Sequence, residues 1–394
     1  MVTYPQGWET YRVIDVADLF DNLRIPVTKN QRRPGNTPYY GANGIQDYVD
    51  GYTHDGEFVL IAEDGANDLL NYPVTYAKGK IWVNNHAHVI SAKESVAVTK
   101  FLYYLLKKVD YTTFLVGGTR AKLNGKTFKN IEITIPSNTS EQKAISSILS
   151  DLDNHIDNLG KLIEKKKNIR DGALEDLISG RTRLDGFHDD WEEKTLKELC
   201  YLITKQTGFD YSAEIKPSLV QNKKEGVLPF IQNKDFEKRF INYNTDFYIP
   251  KDIADKYPKI LLNEVCLLIS ISGRIGNVGV FNNRHPAFAG GAVGIAKLID
   301  PSLAEWCMYF LISERGQEQI FKHEKVGAQH NLTIEDVRNL KIQIPSVKER
   351  ESIINILKCM DDEIEALEAE RDKMIQIREG AMDDLLTGRI RLTV

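Results

Sequence analysis

The sequence is poor in the features that mark metal sites, disulfide frameworks and membrane segments. It has four cysteines in 394 residues, Cys200, Cys266, Cys307 and Cys359, and no two of them form a CxxC pair. That spacing indicates neither a zinc site nor a disulfide framework. No stretch approaches the roughly 18 apolar residues that a membrane helix needs, and the first residues, MVTYPQGWET, lack the basic start and apolar core of a signal peptide. We therefore expect a cytoplasmic protein without a membrane partner.

Motifs of catalysis are also missing. The Asn/Asp-Pro-Pro-aromatic motif of amino-methyltransferases does not occur, because the best candidate, Asp-Pro at 300–301, is followed by Ser302. His86 and His88 stand on alternate positions of a strand-like run without a third ligand nearby in sequence, and such a pair is more typical of structure than of a metal centre. The sequence therefore predicts neither a catalytic residue nor a bound metal.

The chain contains a long internal repeat. Residues 131–184 correspond to residues 340–392, with Gly180 matching Gly388 and Leu184 matching Leu392 at an offset of 208 positions. Each copy starts with an alternating run that ends in proline, IEITIP or LKIQIP, which predicts a strand. Each continues into a helix of about 40 residues, about 60 Å long, and ends in Gly-Arg-x-Arg-Leu. A repeat of this length indicates a duplicated structural unit.

The two helices carry a common apolar seam. Apolar residues recur at alternating steps of four and three, the period of a coiled coil, and helices that each follow their own domain can pair antiparallel. The predicted seam and subunit-interface residues are Ile156, Leu159, Ile163, Arg170, Ile364, Leu367, Met374 and Arg378. The two arginines occupy core-type positions, where they fix the register or face a partner subunit. Lys165–Lys167 in the first helix and the acidic stretch EALEAERDK in the second indicate complementary charge.

The segments that precede the helices are also related. Each has a Trp near its start, Trp8 or Trp191, a strand-like run in the middle and a glycine-containing loop before the Ile-Pro strand, in which Leu123 matches Leu332. We predict an α+β fold with two mixed α/β globular domains, joined by two long helices that form an antiparallel coiled coil, in a duplicated pseudo-two-fold architecture. The predicted boundaries are 1–140 for the first domain, 141–184 for the central helix, 185–348 for the second domain and 349–394 for the C-terminal helix.

Four markers, in this order and largely duplicated, resemble the specificity (S) subunit of type I restriction–modification systems over essentially the whole chain. They are PYYGANGI at 38–45, SGRIGNVGV at 272–280, the Ile-Pro-Ser entry into each helix, and GALEDLISGRTRL with its partner GAMDDLLTGRIRL. The resemblance implies that each globular domain is a target-recognition domain that reads one half of a split, asymmetric DNA target. It also implies that the helices hold the two halves at a fixed spacing.

The resemblance further implies a non-catalytic subunit that binds no cofactor itself. Two methylation (M) subunits would dock on it and bring S-adenosylmethionine, and two restriction (R) subunits, where present, would bring ATP and Mg. Two other functions stay open from the sequence: an autonomous DNA-modifying enzyme with fused recognition domains, and a coiled-coil assembly protein without a DNA role.

The net charge of −5 argues mildly against nucleic acid, but DNA binding needs only a local basic face. Arg suits guanine edges and phosphates, Asn and Gln suit base edges, and Tyr suits phosphates. The predicted DNA-binding residues are Lys29, Gln31, Arg32, Arg33, Tyr39, Tyr40, Asn43, Arg120, Lys122, Asn124, Lys126, Ser272, Arg274, Asn277, Gln329, His330 and Asn331.

Three of these loops have a structural alternative. PYYGANGI also fits a hairpin turn whose two tyrosines pack in the core, residues 29–33 fit a solvated loop, and SGRIGNVGV fits a structural glycine-rich turn.

Overall fold

A computed structural model describes residues 4–117, 121–322 and 331–392. The chain forms two compact units, Met1–Leu162 with Leu367–Val394 (unit 1) and Ile163–Ala366 (unit 2). Each unit thus combines one globular part with a segment of both long helices, whereas the boundaries predicted from the sequence separate globular parts from helices. Within the described ranges, no helix has the length and apolar character needed to cross a membrane.

The elements of the first half follow the chain. They are β1 (Trp8–Arg12), α1 (Val13–Val16), β2 (Ala17–Leu19), β3 (Pro34–Gly41), β4 (Gly44–Val49), β5 (His54–Ala62), β6 (Val74–Val83), β7 (Ala87–Ala92), α2 (Thr99–Lys107), α3 (Gly125–Lys129), β8 (Glu132–Pro136) and α4 (Thr139–Ile178).

The second half begins with β9 and ends with the second long helix. Its elements are β9 (Glu192–Thr195), α5 (Leu196–Leu199), β10 (Cys200–Lys205), α6 (Gly208–Asp210), α7 (Lys216–Ser218), β11 (Val227–Ile231), β12 (Phe236–Glu237), β13 (Phe240–Ile241), β14 (Tyr248–Pro250), α8 (Lys251–Ala254), β15 (Leu261–Leu262), β16 (Cys266–Ser270), β17 (Val278–Phe281), β18 (Ala287–Ala289), β19 (Val293–Leu298), α9 (Ala304–Ile312), α10 (Glu314–Lys322), α11 (Ile334–Arg338), β20 (Lys341–Ile344) and α12 (Val347–Leu385).

Unit 1 is built on a six-stranded sheet of order β2-β7-β5-β6-β3-β4. Its strands pair antiparallel except for β3 and β6, which run parallel. The apolar run of β5 is buried, and Phe101 and Leu102 of α2 share a core with it. The same core takes in Ile145 from the start of α4 and Leu385 from the end of α12. The first domain therefore packs on the beginning of its own helix and the end of the other.

Unit 2 repeats this plan with a broken sheet. The order β10-β19-β16-β17 matches β2-β7-β5-β6, and β11 runs parallel to β18 as β3 runs parallel to β6. The long strand β6 thus has two short counterparts, β17 and β18. The core of this unit takes in Leu177 from the end of α4 and Ile353 from the start of α12, which is the reciprocal of unit 1.

The predicted strands and helices of the repeat are confirmed. IEITIP forms β8, which pairs antiparallel with β1, and LKIQIP forms β20, which pairs antiparallel with β9. α4 and α12 span 40 and 39 residues. Of the predicted seam residues, Leu159, Ile163 and Ile364 are buried, and Ile156, Leu367 and Met374 are half-buried.

Ion pairs join the two long helices inside each unit. In unit 1, Arg378 pairs with Asp153 at 3.2 Å. In unit 2, Lys166 pairs with Glu363 at 2.7 Å and Arg170 pairs with Asp361 at 3.3 Å. The segments therefore run antiparallel in unit 2. Lys166 of the predicted basic run pairs with Glu363, two residues before the acidic stretch at 365–373 that the sequence proposed as its partner. A continuous coiled coil stays a prediction.

The two seam arginines are paired within the protein in matching ways. Asp361, the partner of Arg170, also accepts a hydrogen bond from Tyr309 at 2.7 Å. Asp153, the partner of Arg378, accepts the same bond from Tyr104 at 2.7 Å. Burial, together with this bond to a carboxylate, raises the pKa of Tyr104 and of Tyr309. Of the two alternatives left by the sequence, the structure favours an internal role that fixes the helix register.

Each Gly-Arg-x-Arg-Leu ending docks on the start of the other helix. Arg183 binds the buried Glu349 of α12 through Nε and Nη2 at 2.6 and 2.9 Å. Arg391 binds Glu141 of α4 at 2.7 and 2.8 Å. Gly388 has φ of +70°, and a Cβ there would lie 2.7 Å from the ring of Pro5. The second arginine of each ending therefore joins the end of one long helix to the start of the other through a bidentate ion pair.

Candidate nucleic-acid interface

Loops at the ends of several strands meet along one edge of unit 1. Asn43, in the turn after β3, donates from Nδ2 to the carbonyl of Gly65 at 3.0 Å and accepts from the amide of Asn67 at 3.0 Å. The amide of Leu123 donates to the carbonyl of Glu63 at 2.7 Å. We call this surface, residues 42–44, 63–67, 84–86 and 121–129, the first loop edge. It brings together two of the predicted DNA-binding segments, the Asn43 turn and the loop before β8.

A charged cluster fixes the base of this edge. Glu63 binds Arg24 at 2.7 Å and Lys122 at 2.9 Å. His88 faces Asp21 through Nδ1 at 2.7 Å and the carbonyl of Leu123 through Nε2 at 2.8 Å. Burial would raise the pKa of Asp21, but the hydrogen bond and charge of His88, together with the amide of Val89 and the charge of Arg24, outweigh it and hold that pKa below its ordinary value. The bond to Glu63 raises the pKa of Lys122.

Asp21, Glu63 and His88 offer ligand atoms within 4.8 Å of one another, a spacing that a metal ion could bridge. Both carboxylates already accept from nitrogen donors, and the Nε2 atom of His88 must donate because a carbonyl can only accept. The geometry therefore describes an electrostatic cluster whose carboxylates are already paired, and it brings Asp21 and Glu63 to His88, which the sequence did not predict.

The basic loop at residues 29–33 lies elsewhere in unit 1. It precedes Pro34, which pairs with Val49, whereas the Asn43 turn closes the other end of the same hairpin. The two ends are about 20 Å apart at about 3.3 Å per residue. Arg32 is held inside the protein: its guanidinium lies 4.1 Å from the ring centre of Tyr39 and pairs with Asp47 at 3.2 Å. Lys29, Gln31 and Arg33 are exposed.

The prediction that Tyr39 and Tyr40 reach DNA is corrected by their burial. Tyr39 is 1% exposed and Tyr40 is 7% exposed. The hydroxyl of Tyr39 donates to the carbonyl of Val27 at 3.2 Å, and burial raises the pKa of Tyr40. The reason is that Tyr39 and Tyr40 are consecutive in β3 and point to opposite faces of the sheet. Tyr39 packs against Trp82 of β6 and Arg32, and Tyr40 joins a core cluster with Phe58 and Leu60. The alternative interpretation of PYYGANGI holds for the tyrosines.

Unit 2 has an equivalent edge. Asn233, after β11, donates to the carbonyl of Ser272 at 2.7 Å, and Asn277 donates to the carbonyl of Asn233 at 3.3 Å. The amide of Leu332 donates to the carbonyl of Ile271 at 2.8 Å. We call residues 206–210, 232–235, 272–277, 290–292 and 331 the second loop edge. The side chains of Asn277 and Asn233 thus help to shape the loops.

The two edges share the same backbone hydrogen bonds but carry different side chains. The bond from Leu123 to Glu63 in unit 1 has its counterpart in the bond from Leu332 to Ile271 in unit 2. The backbone bridge between Asp64 and Lys122 likewise corresponds to that between Ser272 and Asn331. The match of Leu123 with Leu332 predicted from the sequence is therefore confirmed as a structural equivalence.

Several exposed side chains remain available along these edges. Arg274 and Lys126 are exposed and make no ion pair or side-chain hydrogen bond with the residues that the structure describes. Asn124 and Asn331 also lie on the edges. Arg120, Gln329 and His330, which the sequence placed in the same loops, lie outside the described residues. Whether any of these side chains contacts DNA stays a prediction.

Sequence reasoning missed two polar residues of the second loop edge. Asn233 holds the same place as Asn43, because each follows the strand that runs parallel to its neighbour and bonds to the loop after the central strand. Its segment, LPFIQNK, has no Asn-Gly turn to mark it. Gln206 directly follows β10 and is buried. A glutamine two positions after the apolar run YLIT was the available signal.

Comparison with known proteins gives a consistent family. The type I restriction modification DNA specificity domain matches residues 5–167 and again residues 188–376. A Haemophilus influenzae protein, named as a candidate type I restriction enzyme specificity subunit, is 32% identical over 87% of this chain and 85% of its own length. The MjaVIII type I restriction enzyme specificity subunit of Methanocaldococcus jannaschii is 26% identical over 98% of this chain and 94% of its own length.

The fold is also found among solved structures. The S subunit of a type I restriction-modification system from M. genitalium superposes with a TM-score of 0.65, with 17% identity and 96% of each chain covered. The repeat that the sequence shows, the duplicated loop edges and the two matches to one family model all agree. The chain belongs to the family of type I restriction–modification DNA specificity domains.

Proposed function

We propose that this chain is the non-catalytic DNA-recognition subunit of a type I restriction–modification complex. Each unit reads one half-site through its loop edge, so the target has two parts. α4 and α12 both contribute to both units, and the family suggests that the helices hold the two half-sites at a fixed spacing. Methyl transfer and cleavage belong to other subunits.

The observation that carries this proposal is the pair of loop edges. The same backbone bonds support both edges, but the side chains they present differ: lysines and Asn124 on the first, Arg274 and Asn331 on the second. A shared frame with different polar side chains suits two domains that do the same task on two different base sequences. Sequence is read by such groups at base edges, while cations on phosphates supply affinity.

The partners and cofactors belong to the same proposal. The family suggests two methylation subunits, and two restriction subunits where cleavage occurs. We expect S-adenosylmethionine, ATP and Mg on those subunits. Membership of the family supports this part of the proposal.

A genome-wide map of adenine methylation tests the proposal. We expect that removing this chain from a host that also has the methylation subunits abolishes methylation at one bipartite motif, and that restoring the chain restores it. An unchanged map, together with no selection of a DNA sequence by the purified complex, would contradict the proposal. Methyl transfer by this chain alone would instead indicate an autonomous enzyme.

Arg274→Ala is expected to weaken DNA binding without unfolding unit 2. Arg274 is exposed on the second loop edge and has no ion pair among the described residues, so its loss removes a cation and no internal contact. If it contacts a phosphate, affinity should fall by a similar factor for all sequences, and the slope of log affinity against log salt should decrease by about 1. Fluorescence anisotropy titrations at several salt concentrations measure both quantities.

The matched control is Arg284→Ala. Arg284 is also exposed, but it follows the far end of β17, whereas Arg274 precedes that strand. We expect the control to leave affinity and salt slope unchanged. Equal behaviour of the two variants would remove Arg274 from the interface. Relaxed selection at one G·C position in Arg274→Ala alone would assign it to a guanine edge.

A further inference from the structure

A cavity of about 280 Å³ lies beside the end of β10 in unit 2. Its walls are residues 204–207, Asp210 and residues 256–260. Binding sites for small molecules usually start at about 300 Å³. The cavity is therefore small for a whole nucleotide cofactor, but it has room for one edge of a base.

One wall of this cavity holds a buried amide without a partner. Gln206 is 4% exposed, and neither its Nε2 nor its Oε1 atom has a hydrogen-bond partner in the described residues. Gly291 would place a Cβ only 3.4 Å from that Oε1 atom, so the glycine leaves the space that the amide occupies. Buried polar groups are nearly always paired. Gln206 thus offers a donor and an acceptor that the free chain does not use.

The mouth of the cavity suits a nucleic acid. Lys205 and Lys259 are exposed and make no ion pair with described residues, whereas Lys256 is engaged by Glu214. Free lysines at the rim fit phosphates. Phe209, on the turn after Gln206, is 81% exposed. An apolar ring in this position fits the methyl group of thymine.

We infer that Gln206 reads an adenine, in an A·T pair, within the half-site bound by unit 2. A side-chain amide matches the N7 acceptor and N6 donor of adenine in the major groove. Rotation about the side-chain torsions of Gln206 brings the amide from its buried position to the base, and the free lysines hold the flanking phosphates. This inference rests on the proposed function.

Selection from a randomised duplex library by the full-length complex tests the inference. Wild type should select a bipartite motif. Gln206→Met should keep that motif except at one A·T position in one half-site, where the preference for adenine falls by about tenfold to a hundredfold. Gln206→Glu should move the preference at the same position towards cytosine, because a carboxylate only accepts hydrogen bonds. Lys205→Ala should weaken binding to all sequences and leave the motif unchanged.

Thermal unfolding separates readout from structure. Met has nearly the volume of Gln and no unpaired amide, so Gln206→Met should leave the melting temperature unchanged or raise it. A clear fall in melting temperature would mean that the amide has an internal partner, and the inference would be wrong. An unchanged motif in Gln206→Met, with wild type selective, overturns the inference and leaves the proposed function intact. No motif for wild type overturns both.

Discussion

Arg183→Ala is expected to lower the free energy of unfolding of unit 2 by about 3–5 kcal/mol, and Arg391→Ala to do the same in unit 1. In each case the substitution strips a buried carboxylate of its bidentate guanidinium partner. The side chain of Glu349 is 1% exposed and that of Glu141 is 2% exposed. The hydrogen bond to Glu349 raises the pKa of Arg183, and that to Glu141 raises the pKa of Arg391. Among the described residues, the neutral donors that stay after either change are the indole of Trp191 on Glu349 at 3.1 Å and the amide of Leu392 on Glu141 at 3.4 Å.

The same motif supplies the control. Arg181 and Arg389 are the first arginines of the two Gly-Arg-x-Arg endings, and their side chains are 64% and 63% exposed. Their pairs with Asp176 and Asp384 lie at the surface, so alanine there should cost less than about 1 kcal/mol. For units of this size, about 3–5 kcal/mol corresponds to a fall of roughly 6–20 °C in melting temperature. Scanning calorimetry of the four single variants measures these shifts in melting temperature. Equal shifts for the first and second arginine of one ending would show that the ion pair with the buried glutamate adds no stability beyond that of a surface pair.

Arg170→Met is expected to destabilise unit 2 by about 3 kcal/mol. The side chains of Arg170 and Asp361 are 7% and 6% exposed, so the substitution leaves a buried carboxylate without its main cation. We place the loss at the low end of the range because Lys238 and Arg239 also act on Asp361. The double variant Arg170→Met/Asp361→Asn should recover most of the loss, since Asn still accepts from Tyr309 and carries no charge.

The repeat provides a second comparison for this pair. Arg378 and Asp153 hold the equivalent positions in unit 1, but their side chains are 25% and 28% exposed. Water screens this pair more, and Arg378→Met should cost about 1 kcal/mol. Chemical denaturation of the three variants measures the differences. A double variant as unstable as Arg170→Met alone would mean that packing of the Arg170 side chain, and not its charge, carries the effect.

The sequence predicted the elements of the repeat because their signals are local. Alternation before a proline marks β8 and β20, and a seam with steps of three and four marks α4 and α12. The equivalence of Leu123 and Leu332 could also be read along the chain. It holds in the structure because both residues bond to the end of the same central strand.

The side chains of the candidate interface were harder to predict. Tyr39 and Tyr40 look the same as exposed tyrosines in sequence, and only the neighbouring strand β6 decides that they are buried. Asn233 escaped notice because it has no Asn-Gly turn beside it, although it makes the bond that Asn43 makes. The sequence predicted that Arg32 faces DNA, but in the structure its guanidinium contacts the ring of Tyr39 and pairs with Asp47.

By itself the sequence determined the duplication and the α+β class, because the repeat and the prolines and glycines that bound its elements are read along the chain. The four sequence markers carried the resemblance to the family. Tertiary structure alone decided which arginine of each ending pairs with a buried glutamate of the other helix and which polar residues share a loop edge. It also decided which charged side chains have no ion pair among the described residues. Those outcomes depend on contacts between residues far apart in the chain, such as Arg391 with Glu141 and Asn233 with Ser272. Burial then decides how costly an unpaired group is, since a charge or amide removed from water loses its hydration and one left in water does not.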